Sequence, residues 1–250
     1  MKNVISTILA VLIVAVISLT GSSCKKEQKA AVPPSTPEQK AKMEEVKKDV
    51  EAAKKDIVAQ VNGVDISMLD LIGEMNTIAQ RERAKAGGEK TPASMEKVKK
   101  EGLDNLIFKE LAIQESTKQG IVVSPERVAI IVDLMKKQTG SKEAFQQYLD
   151  ERHMTEADLR TRIERSQRFE MITAKEIFQK IKLDDKDIRA DYDKNRNEYK
   201  DSTGKQLTYE ESANFIRKKL ISEKGAVLKK EWAKALRKNA KIVIEKDSGK

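Results

Sequence analysis

Apolar residues recur every three or four positions through most of the chain after residue 66, which predicts a series of amphipathic helices. Polar capping residues, two of them followed by proline, stand where each stretch begins. Glycines stand where several of the stretches end. The predicted helix starts are Ser67, Thr91-Pro92, Ser124-Pro125, Ser141, Thr155, Asp184 or Asp185, and Thr208.

Two short runs rich in β-branched residues lie outside this helical pattern. Residues 57–61 are followed by Asn62-Gly63, the strongest turn signal in the chain, and residues 64–66 return as a short second strand. The other run is residues 241–245. An isolated strand leaves backbone groups without partners, so we expect the two runs to pair. The sequence therefore predicts a mainly α fold with a small β element that joins the N- and C-terminal strands.

The N-terminal residues predict export. Lys2 precedes 16 apolar-rich residues, 4–19, and a small-residue stretch then leads to Cys24. This order is typical of a secretory signal over residues 1–23. An uncleaved anchor is the alternative, although a spanning helix needs about 20 residues.

Cys24 is the only cysteine, so the chain has no intramolecular disulfide. Its place directly after the signal resembles the lipobox of bacterial lipoproteins, which implies lipidation of Cys24. Two or three acyl chains would anchor the protein firmly to a membrane. The next residue is Lys25 rather than the aspartate that commonly retains lipoproteins at the inner membrane, which favours the outer membrane.

Residues 24–56 are predicted to be a tether. Prolines at 33, 34 and 37 favour extended chain near its start. Residues 39–55 are rich in Ala, Lys and Glu and predict a solvated helix with too few apolar residues to form a core. The folded domain is then residues 57–250.

Composition and motifs argue against several classes of function. The net charge of +9 comes from interleaved Lys and Glu, and aromatic residues are only 4% of the chain. Nucleic-acid binding is not expected, because it needs a concentrated basic patch with stacking aromatics. His153 is the only histidine, so no zinc site is expected. Helix capping explains the acidic run Asp184-Asp185-Lys186-Asp187, and no phosphate-binding loop is present. We therefore expect no enzyme active site, metal or cofactor.

The order of motifs resembles the SurA N-terminal chaperone module of the SurA/PrsA-type foldases. Residues 58–63, Val-Ala-Gln-Val-Asn-Gly, are similar to its "xVNG" opening. Further similar stretches are residues 103–115, 120–126, 145–149, 154–160, the Asp-Ile-x-x-x-Tyr run in 187–193, and the closing strand 240–245. The resemblance spans residues 57–245. It implies a periplasmic holdase that shelters unfolded proteins, with its N- and C-terminal parts packed together.

The chain departs from that family at one place. In SurA-like and PrsA-like proteins, parvulin-type isomerase domains stand before the final helix. Here only nine residues lie between Tyr199 and Tyr209, and no stretch resembles the parvulin glycine motif. Prolyl isomerase activity is therefore not expected.

The predicted function is an ATP-independent holdase that binds unfolded outer-membrane or secreted proteins. Flexible, polarizable methionines suit varied clients. The predicted client-binding residues are Met68, Met75, Met135, Phe145, Tyr148, Met154 and Met171. One alternative is a non-catalytic lipoprotein that docks a specific folded envelope partner, and another is an accessory isomerase with an unrecognised site. The oligomeric state is left open.

Overall fold

The computed structural model describes residues 37–85 and 94–245, with side chains described for 44–84 and 94–245. Within these ranges the chain forms eight helices and one three-stranded antiparallel sheet, which confirms the predicted mainly α fold. In chain order the elements are α1 (Pro37–Lys55), β1 (Ile57–Val61), β2 (Val64–Ser67), α2 (Met68–Lys85), α3 (Met95–Lys118), α4 (Pro125–Thr139), α5 (Lys142–Glu151), α6 (Glu156–Glu176), α7 (Asp185–Asn195), α8 (Tyr209–Lys238) and β3 (Ile242–Ile244).

Side-chain caps set the helix starts where the sequence predicts them. Thr208 and Glu211 form a reciprocal capping box at the start of α8, and Asp184 and Asp187 form another at α7. Ser124 accepts a hydrogen bond from the backbone N–H of Arg127 at the start of α4. These contacts satisfy amide groups that lack a partner within the helix. The predicted signal segment, Cys24 and the Thr91-Pro92 cap lie outside the described residues.

The sheet confirms that the two β-prone runs pair. Asn62 and Gly63 both have positive φ, 51° and 87°, which suits the two-residue turn between β1 and β2. On its other side β1 pairs antiparallel with β3, with Gln60 opposite Val243. The backbone N–H of Lys241 also donates to the Asn62 side-chain oxygen at 2.8 Å. The strand order is therefore β2-β1-β3.

The chain divides into two compact units, a division that the sequence did not suggest. Unit 1 comprises the described residues within Met1–Ile107, Gln146–Thr155 and Lys241–Lys250. Unit 2 comprises Phe108–Phe145 and Glu156–Ala240, so α3 and α5 each pass from one unit into the other. The largest fully buried aliphatic side chains of unit 1 are Leu71, Ile72, Ile78, Ile107 and Val61, and those of unit 2 are Val132, Ile172, Ile188 and Ile216.

Helix α1 takes part in the core of unit 1. Val50 and Ala53 are buried, and Ala53 forms a cluster with Ile72. The Lys54 ammonium donates to the backbone carbonyl of His153 at 3.0 Å, which joins α1 to the segment after α5. Residues 39–55 are helical in their described part, as predicted. The prediction of a solvated helix is wrong at Val50 and Ala53, which are buried, because a helix with few apolar residues still buries those that face its neighbour.

The burial of Val50 predicts a cost for shortening it. We expect Val50→Ala to lower the free energy of unfolding by about 2 kcal/mol, because it removes buried methyl groups and leaves a cavity. Val227→Ala is the matched control, because Val227 is exposed on α8 and its change should be within about 0.5 kcal/mol. Urea denaturation measures both variants. Equal stabilities would contradict the packing of α1 into unit 1.

Candidate functional site

The side chains predicted to bind clients are divided between the two units. Unit 1 holds Met68, Met75, Tyr148 and Met154, and unit 2 holds Met135, Phe145 and Met171. These residues also differ in solvent exposure, and only Met171 is exposed, at 39%. Met68, Met135, Tyr148 and Met154 are half-buried.

Two of the seven are core residues in this conformation. Met75 on α2 is buried beside Gly102, where an added Cβ would lie 3.4 Å from the Met75 Cγ. Phe145 is buried with the Lys136 ammonium 5.2 Å from its ring centroid. A buried side chain offers no surface to a ligand, so Met75 and Phe145 contribute packing here rather than a binding surface.

Two of the half-buried residues also have partners of their own. Met68 packs against the Ala53–Ile72 cluster. The Arg152 guanidinium lies 3.9 Å from the Tyr148 ring centroid, a cation–π contact that covers one face of the ring. These contacts reduce the apolar area that each side chain presents to solvent.

The strongest candidate surface is a pair of exposed aliphatic side chains on α4 that the predictions missed. Ile130 is 60% exposed and Leu134 is 52% exposed. Residues four apart lie on the same face of a helix, so the two form one apolar ridge. We call Ile130 and Leu134 the α4 ridge.

The rest of α4 is fixed firmly within unit 2. Val128 and Val132 are buried on the side away from the ridge. The Arg127 guanidinium donates to the Gln167 side-chain oxygen at 2.6 Å, and the Lys136 ammonium lies 2.9 Å from the Glu156 carboxylate, both joining α4 to α6. The ridge therefore lies on a helix whose opposite side is packed in unit 2.

The sequence carries a signal for this ridge. Residues 128–135 read Val-Ala-Ile-Ile-Val-Asp-Leu-Met, in which seven of eight positions are apolar. A helix that buries one face covers only about half of its residues, so some of these seven apolar side chains must lie on another face. Other large apolar side chains exposed in unit 2 are Val122, Met171, Phe178, Phe215 and Val227.

Unit 2 also contains a partly buried polar cluster formed by Asp191, Tyr199 and Lys219. The Tyr199 hydroxyl donates to the Asp191 carboxylate. The Lys219 ammonium donates to Asp191 at 3.1 Å and to the Tyr199 hydroxyl at 3.2 Å, and the Asn195 amide donates to Asp191 at 3.0 Å. The cluster links α7, the turn after it and α8.

The electrostatics of this cluster indicate a structural role. Burial and the neighbouring Asp191 carboxylate raise the pKa of Tyr199, so its phenol stays protonated. Burial alone would raise the pKa of Asp191, but hydrogen bonds from Tyr199 and Lys219 outweigh it and lower that pKa. Hydrogen bonding to Tyr199 and Asp191 raises the pKa of Lys219 against the effect of burial. Each group is stabilised in its ordinary neutral-pH form, whereas an acid–base catalyst needs a pKa moved towards neutrality.

The described residues contain no metal cluster and no membrane span. Within 37–85 and 94–245, no group of three or more His, Cys, Asp or Glu side chains is placed to hold a metal ion. No helix in the same ranges is both long enough and apolar enough to cross a bilayer.

Comparison with known proteins identifies the family. The sequence profile of the SurA-like N-terminal domain matches residues 1–173, more than two thirds of the chain. The chain belongs to the SurA-like N-terminal domain family. This membership supports the role of a periplasmic chaperone. No curated protein sequence matches the chain.

Among solved structures, this chain is similar to a structure from a study of PEB4 and Cj1289, two structurally related SurA-like chaperones of Campylobacter jejuni. The TM-score is 0.48 at 14% identity, covering 77% of this chain and 100% of that chain.

In this SurA-like chain, a closed hairpin occupies the segment where the resemblance suggested that relatives carry isomerase domains. The Leu207 N–H donates to the Tyr199 carbonyl at 2.9 Å. Lys200 and Gln206 form an isolated antiparallel β-bridge. Inside the hairpin, the Asp201 carboxylate accepts from the backbone N–H groups of Thr203 and Lys205. The segment between Tyr199 and Tyr209 is thus a short ordered turn.

The Tyr199 cluster predicts a measurable loss of stability. We expect Tyr199→Phe to lower the free energy of unfolding by about 1–2 kcal/mol, because the partly buried Asp191 loses a hydrogen-bond donor. The matched control is Tyr209→Phe, because the Tyr209 hydroxyl makes no hydrogen bond to any residue the structure describes, and its effect should stay within about 0.5 kcal/mol. Chemical denaturation measures the free energy of unfolding of both variants. An unchanged value for Tyr199→Phe would show that the Tyr199 hydroxyl contributes nothing to stability.

Proposed function

We propose that the chain is an ATP-independent holdase that binds unfolded polypeptides at the periplasmic side of a membrane. Membership of the SurA-like family supports the chaperone role. The observation that carries the holdase mode is the α4 ridge, because Ile130 and Leu134 are exposed on a helix that is otherwise well packed.

The physical basis is non-directional burial of apolar surface. Transfer of apolar area out of water contributes about 25 cal/mol per Å² and does not depend on the client's sequence. Ordering a flexible client opposes much of this gain, so binding is weak and reversible. A nucleotide is not needed, because exchange follows from weak affinity alone. The exposed Met171 on α6 belongs to the same unit and is the one predicted methionine that we retain as a client contact.

The test is suppression of aggregation by the chain from residue 25 onward, which keeps α1 and its core contacts. Several unrelated unfolded proteins are diluted into buffer without ATP, and light scattering is followed. Protection of most of them supports a general holdase. Protection of none, by a chain shown to be folded, would leave the alternative of a lipoprotein that docks one specific folded partner.

The ridge should carry much of this activity. We expect Ile130→Gln with Leu134→Gln to raise the concentration needed for half-protection about tenfold, because two apolar contacts are lost. Met95→Gln with Val227→Gln is the matched control, since both side chains are exposed and lie on other helices. Glutamine keeps helix propensity, so circular dichroism should be unchanged. Equal losses in both double variants would assign client binding to general surface hydrophobicity instead.

Lipidation at Cys24 is the second element of the proposal. It rests on the apolar signal segment, on Cys24 being the only cysteine, and on its place directly after that segment. Acyl chains would hold the holdase at the membrane surface, and Lys25 after the cysteine favours the outer membrane.

We expect Cys24→Ser to move the protein from the membrane fraction to the soluble periplasmic fraction, because the acylated thiol is lost. Labelling with radioactive palmitate measures acylation, and fractionation measures the distribution between membrane and soluble periplasm. A control substitution at Ser22 to Ala keeps a small residue in the same segment and should leave the distribution unchanged. Membrane retention of Cys24→Ser would favour the uncleaved apolar anchor.

We do not propose isomerase activity. The nine residues between Tyr199 and Tyr209 are too few for a parvulin domain. Isomerisation in a proline-peptide assay that persists after substitution of the α4 ridge would support the accessory-isomerase alternative.

A further inference from the structure

Among the residues that the structure describes, β3 is the outer strand of the sheet in unit 1, and none of them pairs with the far edge of β3. The Lys241 carbonyl accepts from Asn62 and the Glu245 N–H donates to Val58, while Val243 lies opposite Gln60. Backbone groups of an antiparallel strand alternate between its two sides. Because residues 241, 243 and 245 face β1, the N–H and C=O groups of Ile242 and Ile244 point outward.

All three side chains of β3 are apolar, and two of them are exposed. Val243 is 40% exposed and Ile244 is 52% exposed. An apolar edge strand with unpaired amides is a template for another strand, and proteins usually cover or protect such edges. Here the charged residues Lys241 and Glu245 stand at the two ends of the run.

We propose that this edge pairs with the same edge of a second copy of the chain, in antiparallel two-fold fashion. The run Lys241-Ile242-Val243-Ile244-Glu245 is complementary to itself when reversed. Lys241 of one copy then lies opposite Glu245 of the other, and Val243 meets Val243 on the two-fold axis. Ile242 of each copy lies opposite Ile244 of the other, so the outward N–H and C=O groups of both residues are satisfied.

Charge and hydrogen bonding together select this register. A shift in either direction places Lys241 or Glu245 opposite Val243 and leaves one isoleucine of each strand without a strand partner. Parallel pairing would place Lys241 opposite Lys241. Opposite charges across a strand pair stabilise it and like charges destabilise it, so the two-fold antiparallel arrangement is favoured over all three alternatives.

The resulting assembly is a continuous six-stranded sheet with the order β2-β1-β3-β3-β1-β2. It is closed by symmetry, because each copy uses its β3 edge once and no further copy can add there. The contact is short, so the dimer is reversible. Anchoring at one membrane surface would favour it by raising the local concentration. This inference is independent of client binding at the α4 ridge.

The experiment is oxidative cross-linking of the full chain carrying Val243→Cys. Opposed residues in a non-hydrogen-bonded antiparallel pair have Cα atoms about 4.5 Å apart, a separation that a disulfide spans. Diamide is the oxidant that converts the two thiols to the disulfide. We expect a dimer band with Val243→Cys. The parent chain controls for Cys24, and Val227→Cys controls for random collision of a more exposed thiol.

Charge reversal makes the test specific to the proposed register. Lys241→Glu or Glu245→Lys, each combined with Val243→Cys, should reduce cross-linking about tenfold or more, because two attractive pairs become repulsive. Mixing the two charge variants should restore it, since every pair across the mixed dimer is then Lys–Glu. Both charged side chains are exposed, so unchanged circular dichroism verifies folding.

Three results would overturn the proposal. One is cross-linking of Val243→Cys no greater than that of Val227→Cys. Another is a dimer that does not respond to either charge reversal, which would place the interface elsewhere. The third is cross-linking of Val243→Cys to other polypeptides in cells but not to itself, which would make this edge a site for extended clients. Ile244→Pro, which removes an outward donor and keeps the bonds to β1, should abolish the dimer in the same assay.

Discussion

The pairing of β1 with β3 is the contact on which the architecture depends, because it joins segments separated by almost the whole described chain. The hydrogen bond between Asn62 and Lys241 spans 179 positions. Closing so long a loop has an entropic cost, but that cost grows only slowly with length, so a few strand contacts and the flanking core are sufficient. Unit 1 is assembled from three separate stretches of sequence, and β3 supplies the last of them. Without this pair, β3 would have no strand partner within unit 1.

Local chemistry explains why so many element boundaries were predictable. Asn62-Gly63, the Thr208–Glu211 box and the Ser124-Pro125 start each depend on residues within a few positions of one another. The burial of Val50 and Ala53 depends instead on α2, which a local pattern does not reveal. For the same reason the predicted client-binding set mixed core with surface. Met75 and Phe145 are apolar at helical spacing, and only the packing of distant helices decides which side of such a helix is covered.

The α4 ridge shows what composition can add to periodicity. A single stripe of apolar residues is explained by one packed face, but a stretch that is apolar almost all round requires a second explanation. Residues 128–135 carried that information, and the packing of Val128 and Val132 then identified Ile130 and Leu134 as the surplus. The polar cluster of Asp191, Tyr199 and Lys219 was not predictable, because its members come from three elements whose approach depends on tertiary structure.

The position of β3 also determines the order in which the protein becomes complete during synthesis and export. β1 and β2 emerge early and form a local hairpin across a two-residue turn, whereas β3 appears only after α8 has been made. Until then, the edge of β1 that pairs with β3 stays open while about 180 residues of chain are synthesised. A chain cut between Lys238 and Ile242 keeps every described helix but leaves that edge of β1 uncovered. Until β3 is made, this SurA-like chain therefore carries the kind of open strand edge at which another chain can pair.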